Sequence, residues 1–218
     1  MINRYRTRHV LMPLTFLIAP TSLPACTCAY MPTGTCDTSW ANGDPIFVGT
    51  VASIVDKGEL QVEFSSVEIL HGAVEQGNSV TVHTGRGEGD CGYPFVTGTQ
   101  YLVYASGFHW LSTGICALTA PAAIVSATIS ELRKLRDQGR SDDLFGNIGT
   151  APIGTRWQDV PTIRPLANIG VHAIATNGRR FSTMTAEDGG FRFASLPAGE
   201  YAVQEDVPGG FHRSEALQ

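Results

Sequence analysis

The sequence is informative first for what it lacks. Its 218 residues contain no Cys-x-x-Cys, and the six histidines, at positions 9, 71, 83, 109, 172 and 212, form no i,i+4 pair. Neither common spacing for a zinc site is therefore present. There is no Gly-x-Ser-x-Gly elbow, no Cys/His pair with a free thiol and no carboxylate pair in an apolar setting, which leaves hydrolytic machinery without a recognisable nucleophile or acid. The expectation is a protein that is not an enzyme, with no cofactor and no metal site of its own. A basic cluster is missing too, which argues against nucleic acid and anionic lipid surfaces as partners. The longest apolar run, Val10 to Ala19, is too short to span a bilayer as a stop-transfer helix.

That run belongs to a three-part pattern. Arg4, Arg6 and Arg8 precede it, and Thr21-Ser22-Leu23-Pro24-Ala25 follows it, the layout of a secretory signal over residues 1–25. Pro13 and Pro20 argue against an ordinary buried helix there. Removal of the segment leaves 12 basic residues against 20 acidic ones, a net charge of −8. Export, to the outside or to the cell envelope, implies an oxidising compartment in which most of the five cysteines pair. Five is odd, so one cysteine is free, intermolecular or modified. The mature chain would open on Cys26-Thr27-Cys28, and in an extended segment side chains at i and i+2 point the same way. Both sulfurs can then face one surface and hold the new N-terminus twice.

After a Pro/Gly/Thr-rich loop around Cys36, the β-branched run Ile46 to Val55 reads as a buried strand closed by the turn Asp56-Lys57-Gly58. Leu60, Val62 and Phe64 alternate with polar residues, and the alternation resumes one step out of phase at Val67 and Ile69, predicting a bulge at Ser65-Ser66. Val80 to His83 and Tyr101 to Ala105 read as strands three and four, and Phe108 to Leu111 as a fifth. The helix predicted over Ile124 to Gln138 carries the stripe Val125, Ile129, Leu132, Leu135 and stops at Gly139. Five short strands and one helix are the inventory of an OB-like barrel. Between strands three and four, Gly85, Gly87 and Gly89 are not followed by a helix, so the loop is read as a tight turn positioning Cys91 rather than a phosphate cradle. His83 is read as a half-buried cross-strand neighbour and Asp90 as a turn residue. After a linker at 139–147, residues 148–218 show only strands and turns, the pattern of a small β-sandwich with fewer strands than usual, either minimal or cut short.

The exported Cys26-Thr27-Cys28 start, Phe47-Val48-Gly49-Thr50-Val51, Gly89-Asp90-Cys91-Gly92-Tyr93-Pro94-Phe95, Tyr101-Leu102-Val103-Tyr104 and Thr113-Gly114-Ile115-Cys116 together resemble bacterial relatives of the tissue inhibitors of metalloproteinases, which have a netrin-like OB barrel. The resemblance covers about residues 26–138. The later Asp188-Gly189-x-Phe191-x-Phe193-x-x-Leu196-Pro197-x-Gly199-x-Tyr201 pattern is similar to carboxypeptidase regulatory-like, transthyretin-type sandwiches. The first resemblance implies bridges Cys26–Cys91 and Cys28–Cys116, each closing a long loop worth about 4 kcal/mol in the chain-entropy model, and leaves Cys36 unpaired. It also implies that the amine and carbonyl of Cys26 chelate the zinc of a target metalloprotease while Thr27 enters its specificity pocket. The chain departs from that family at Ala29 and Tyr30, where proline is usual, and no six-cysteine subdomain follows.

Leu23-Pro24-Ala25-Cys26 also approximates a lipobox. A lipid on Cys26 would leave four cysteines, an even set for two bridges, and would occupy the groups needed to bind zinc. The alternative is thus a cell-envelope interaction or structural protein, attached to the membrane only through that lipid and without inhibitory activity.

Overall fold

A computed structural model describes residues 42–74, 79–87, 89–139, 144–150 and 164–211. The signal-like segment and Cys26, Thr27, Cys28 and Cys36 lie outside the described residues. Among the described residues the fold is mostly β, with one α-helix described from end to end. Strands β1 (Ile46–Asp56), β2 (Leu60–His71), β3 (Val80–Thr84), β4 (Gln100–Tyr104) and β5 (Ala120–Pro121) form one antiparallel sheet in the order β3-β2-β1-β4-β5. A 3₁₀ turn (Ala122–Ile124) leads into α1 (Ser126–Gln138). Seven further strands follow: β6 (Leu144–Asn147), β7 (Gly149–Thr150), β8 (Arg164–Pro165), β9 (Gly170–Ala175), β10 (Arg180–Met184), β11 (Gly190–Phe193) and β12 (Tyr201–Glu205).

The alternation of side chains along a strand explains how the first sheet serves two cores. Phe47 and Val51 of β1, with Val62, Phe64, Val80, Val82, Tyr101 and Val103, pack on one face. Ile46 and Val48, with Leu70, Leu102 and Tyr104, point to the other, where Ile129 and Leu132 of α1 cover them. The helical stripe is the one read from the sequence, since Val125 and Leu135 complete the same contact. Gly139 ends the helix at φ +82°, a conformation glycine adopts without strain.

The bulge lies where the phase slip placed it. Val48 pairs with Glu68 but Thr50 pairs with Ser65, and Ser66 has φ +51°. Two residues of β2, Ser66 and Val67, thus oppose the single residue Gly49, one more than regular pairing allows, bending the strand. Gly49 also gives Phe64 room, since a Cβ there would lie 3.1 Å from that of Phe64.

The fifth strand is a correction. Phe108 to Leu111 is not a strand: Phe108, His109 and Trp110 are bends in a turn closed by reciprocal backbone hydrogen bonds of 2.9 Å between Ser106 and Ser112. Gly107, at φ +100°, reverses the chain there, and a Cβ on it would collide with the Trp110 carbonyl. The aromatic residues that suggested a strand instead point outward, with Phe108 and Trp110 more than half exposed. The edge strand is β5, and the chain just past the turn touches β3 in a parallel bridge between His83 and Ser112.

In the C-terminal part, β10-β9-β12 form one antiparallel sheet and β11-β6 a second, while β7 pairs with β8. Val171, Ala173 and Phe193 are its buried centre, joined by Leu144, Phe181, Phe191 and Tyr201. Both aromatics of β11 reach this core. Strand β6 falls within the segment read as a linker, and it brings the C-terminal part against the helix. Gly190 meets the helix so closely that a Cβ would collide with that of Ala127. Helix α1 therefore has the first sheet on one side and β6 and β11 on another.

Candidate functional site

The residues singled out on the described part of the sequence gather at one end of the first sheet. Its floor is the turn from Gly85 to Gly92, organised by Asp90. One oxygen of that carboxylate accepts the Arg86 N–H at 2.7 Å, and the other accepts the N–H groups of Gly87 at 2.8 Å and Gly92 at 3.2 Å. These backbone donors, Arg86 first, hold the Asp90 carboxyl below its ordinary range. Asp90 is the turn residue expected from the sequence, and the glycines are required by space. A Cβ on Gly85 would strike the Asp90 carboxylate, and one on Gly92 would strike the Gly85 carbonyl. Arg86 forks onto Asp56 at 2.6 and 3.2 Å, tying the turn to the end of β1 and lowering the Asp56 carboxyl.

Cys91 follows at φ +59°, a left-handed conformation unusual for a residue with a side chain. Its carbonyl accepts the Ile115 N–H at 2.9 Å, and Gly114 packs so closely on that carbonyl that a Cβ would lie 2.5 Å away. Cys116 is thus the next residue after a direct backbone partner of Cys91. Both are disulfide-bonded cysteines rather than titrating thiols. Tyr93 anchors the far side of the turn, its N–H donating to Thr84 Oγ1 at 2.7 Å. The Tyr93 ring is buried among Phe95 and Tyr101. Burial pushes its phenol well above the ordinary tyrosine range, and among the described residues its hydroxyl is the buried side-chain oxygen without a partner.

Beside this turn the structure adds a feature that the sequence did not single out as a unit. His83 is 8% exposed, deeper than half-buried, with Nδ1 2.9 Å from Glu59 Oε1 and its ring stacked on Trp110 at a centroid separation of 3.5 Å and an interplanar angle of 18°. Strand pairing places Gln61, not Glu59, opposite His83. Only the turn after β1 and the reversal at Gly107 bring Glu59 and Trp110 to it. The signal available in the sequence was limited to the exposed aromatic cluster at 108–110.

Among the described residues no group of three or more His, Cys, Asp or Glu could hold a metal ion, and no helix is long and apolar enough to cross a membrane. The sequence matches no protein-family model and no curated protein. Cys91 sits on a turn held by Asp90 and glycine packing, and the separate turn that carries Cys116 is joined to it through the hydrogen bond from Ile115 to the Cys91 carbonyl.

Proposed function

We propose that this chain is an exported, metalloprotease inhibitor-like binding protein, in which a netrin-type OB barrel presents a mature N-terminus beginning at Cys26. In this reading Cys26 pairs with Cys91 and Cys28 with Cys116. The free amine and carbonyl of Cys26 bind the zinc of a target protease, and Thr27 enters the adjoining pocket. The observation that carries the proposal is the adjacency of Cys91 and Cys116, joined by the 2.9 Å hydrogen bond from Ile115 to the Cys91 carbonyl. Two cysteines spaced i and i+2 need two partner cysteines side by side, and Cys91 and Cys116 stand on two turns joined by that hydrogen bond. Preorganisation of this sort lowers the ordering cost of binding. An α-amine titrates near pH 8, so an appreciable fraction is unprotonated and able to ligate zinc at neutral pH.

The same reading extends to the fold. The strand order with β1 between β2 and β4, and the parallel bridge from His83 to Ser112, support closure of the first sheet into an OB-like barrel. The three-stranded and two-stranded sheets around Val171 and Phe193 support a transthyretin-like sandwich.

A second reading rests on cysteine parity. With Cys26 lipid-modified, the remaining four cysteines are even in number, and the protein becomes an envelope interaction module. One preparation separates the two. The mature protein exported from its own signal is mapped by peptide mass and assayed against a panel of zinc endopeptidases, with and without acetylation of its N-terminus. A free Cys26 amine and inhibition lost on acetylation support chelation. A diacylglycerol adduct, or equal potency of both forms, overturns it.

A further inference from the structure

Outside the proposed site, the exposed face of the C-terminal sheet carries a hydrogen-bonded line of three side chains, two from adjacent strands and one from the residue just past a third. Ser182 of β10 lies opposite His172 of β9 in the strand register, and Asp206 follows directly on β12, the strand on the other side of β9. Ser182 Oγ is 2.8 Å from His172 Nδ1, and His172 Nε2 is 3.1 Å from Asp206 Oδ2. The tautomer follows from the partners. A carboxylate only accepts, so Nε2 carries the proton toward Asp206, and Nδ1 is left with a lone pair that accepts the Ser182 hydroxyl.

The backbone is fitted to this arrangement. Asp206 N–H donates to the Gly170 carbonyl at 2.8 Å, bringing its carboxylate over Gly170. A Cβ on Gly170 would occupy the place of Asp206 Oδ2 and lie 3.5 Å from His172 Nε2. Glycine at that position is what lets the carboxylate reach the imidazole. The imidazole itself is largely covered, with its side chain 12% exposed, while Ser182 faces solvent. A nucleophile oriented by a base that is in turn oriented by a carboxylate is the arrangement that activates serine for acyl transfer.

We propose that Ser182 is an acyl-acceptor site, activated by His172 and positioned through Asp206, and that it takes small activated acyl esters. Ser182 Oγ attacks the ester carbonyl carbon, and its proton passes to His172 Nδ1. The bond from the carbonyl carbon to the leaving oxygen then breaks as that oxygen takes the proton from His172 Nδ1, so the alcohol component departs neutral and an acyl-serine and neutral imidazole remain. Water subsequently hydrolyses that ester to the carboxylic acid and restores the serine. The site lies open on a sheet face, so the class of donor is set by reactivity rather than by enclosure, and covalent labelling is the direct readout.

The test uses the full mature chain and p-nitrophenyl acetate, with the acetylated residues located by peptide mass mapping. Acetylation of Lys57 and Lys134 serves as the internal reference for unassisted reaction. Acetylation of Ser182 is expected in the native protein and absent in S182A. In H172Q the Ser182 rate is expected to fall about 100-fold, the usual scale of a general-base contribution, with the lysine rates unchanged. D206A is expected to reduce Ser182 labelling and D206E to restore it in part, a rescue that a purely structural hydrogen bond would not produce in a labelling rate. Thermal melts of each variant confirm folding, and D206A and D206E carry the test if H172Q does not fold. The proposal is overturned if Ser182 remains unmodified while the lysines react, or if it is acetylated equally in native protein, H172Q and D206A.

Discussion

The start of helix α1 is capped from another strand, and removing that cap provides a quantitative test of how the two parts of the molecule are joined. Helix N-termini leave backbone N–H groups without intrahelical partners, and Val125, in the cap position, has no side-chain group to satisfy them. Asn147, the last residue of β6, does so instead. Its Oδ1 accepts the Thr128 N–H at 3.1 Å and the Thr128 hydroxyl at 2.6 Å, and its Nδ2 donates to the Asp188 carbonyl at 3.1 Å. Asn147→Ala removes a capping acceptor, worth about 1 kcal/mol, and two neutral side-chain hydrogen bonds of about 0.5–1.5 kcal/mol each. All three contacts are partly buried, so the summed loss is about 2–4 kcal/mol. For a chain of this size, at about 3 °C per kcal/mol, that corresponds to a fall in Tm of about 6–12 °C. The measurement is urea and thermal unfolding followed by circular dichroism, with Thr128→Val as the second arm of a double-mutant cycle. Because Thr128→Val removes the hydroxyl but keeps the backbone N–H, the cycle is expected to show a coupling of about 1 kcal/mol. A loss below about 0.5 kcal/mol in Asn147→Ala, the range of an ordinary surface substitution, or independent effects of the two changes, would refute the idea that β6 caps the helix.

Two further outcomes follow from the turn at Cys91 and its support. Tyr93→Phe removes a buried hydroxyl that has no partner, so it is expected to leave stability unchanged or raise it by up to about 1 kcal/mol, measured by chemical unfolding; a loss of that size would mean that the hydroxyl is satisfied. Because burial raises the Tyr93 pKa, its contribution is full below the unfolded value of about 10 and is lost as pH rises toward the folded value, so the alkaline arm of the stability profile should be shallower in Tyr93→Phe. Asp90 behaves in the opposite sense. Its pKa is lowered by the backbone donors, so its contribution is present above the unfolded value of about 4 and is lost as pH falls through the folded one. Asp90→Ala is expected to cost about 1 kcal/mol at neutral pH, the scale of a carboxylate that caps backbone N–H groups, and to flatten the acid arm. An unchanged acid arm in pH-dependent melts would show that Asp90 does not hold the turn.

Several elements were legible because local patterns decide them. The slip in alternation between Phe64 and Val67 is sufficient to force one extra residue into β2, and the bulge at Ser66 is its direct geometric result. The stripe Val125, Ile129, Leu132, Leu135 has a helical period and can bury only one face. Asp90 among glycines is a local solution to unpaired N–H groups, so it too could be read in advance. Phe108 to Leu111 shows the limit: aromatic residues favour strands on average, but the reversal at Gly107 and the stack of Trp110 on His83 place them in a turn.

The sequence by itself determined the mostly β character of the described residues with their one long helix, and the turn that carries Cys91, because each depends on residues close together in the chain. Tertiary structure alone decided that Cys116 stands beside Cys91, that Asn147 caps a helix begun some twenty residues earlier, and that Ser182, His172 and Asp206 form one line. Those contacts come from strand register and sheet order, and neither is encoded in the spacing of the residues that meet.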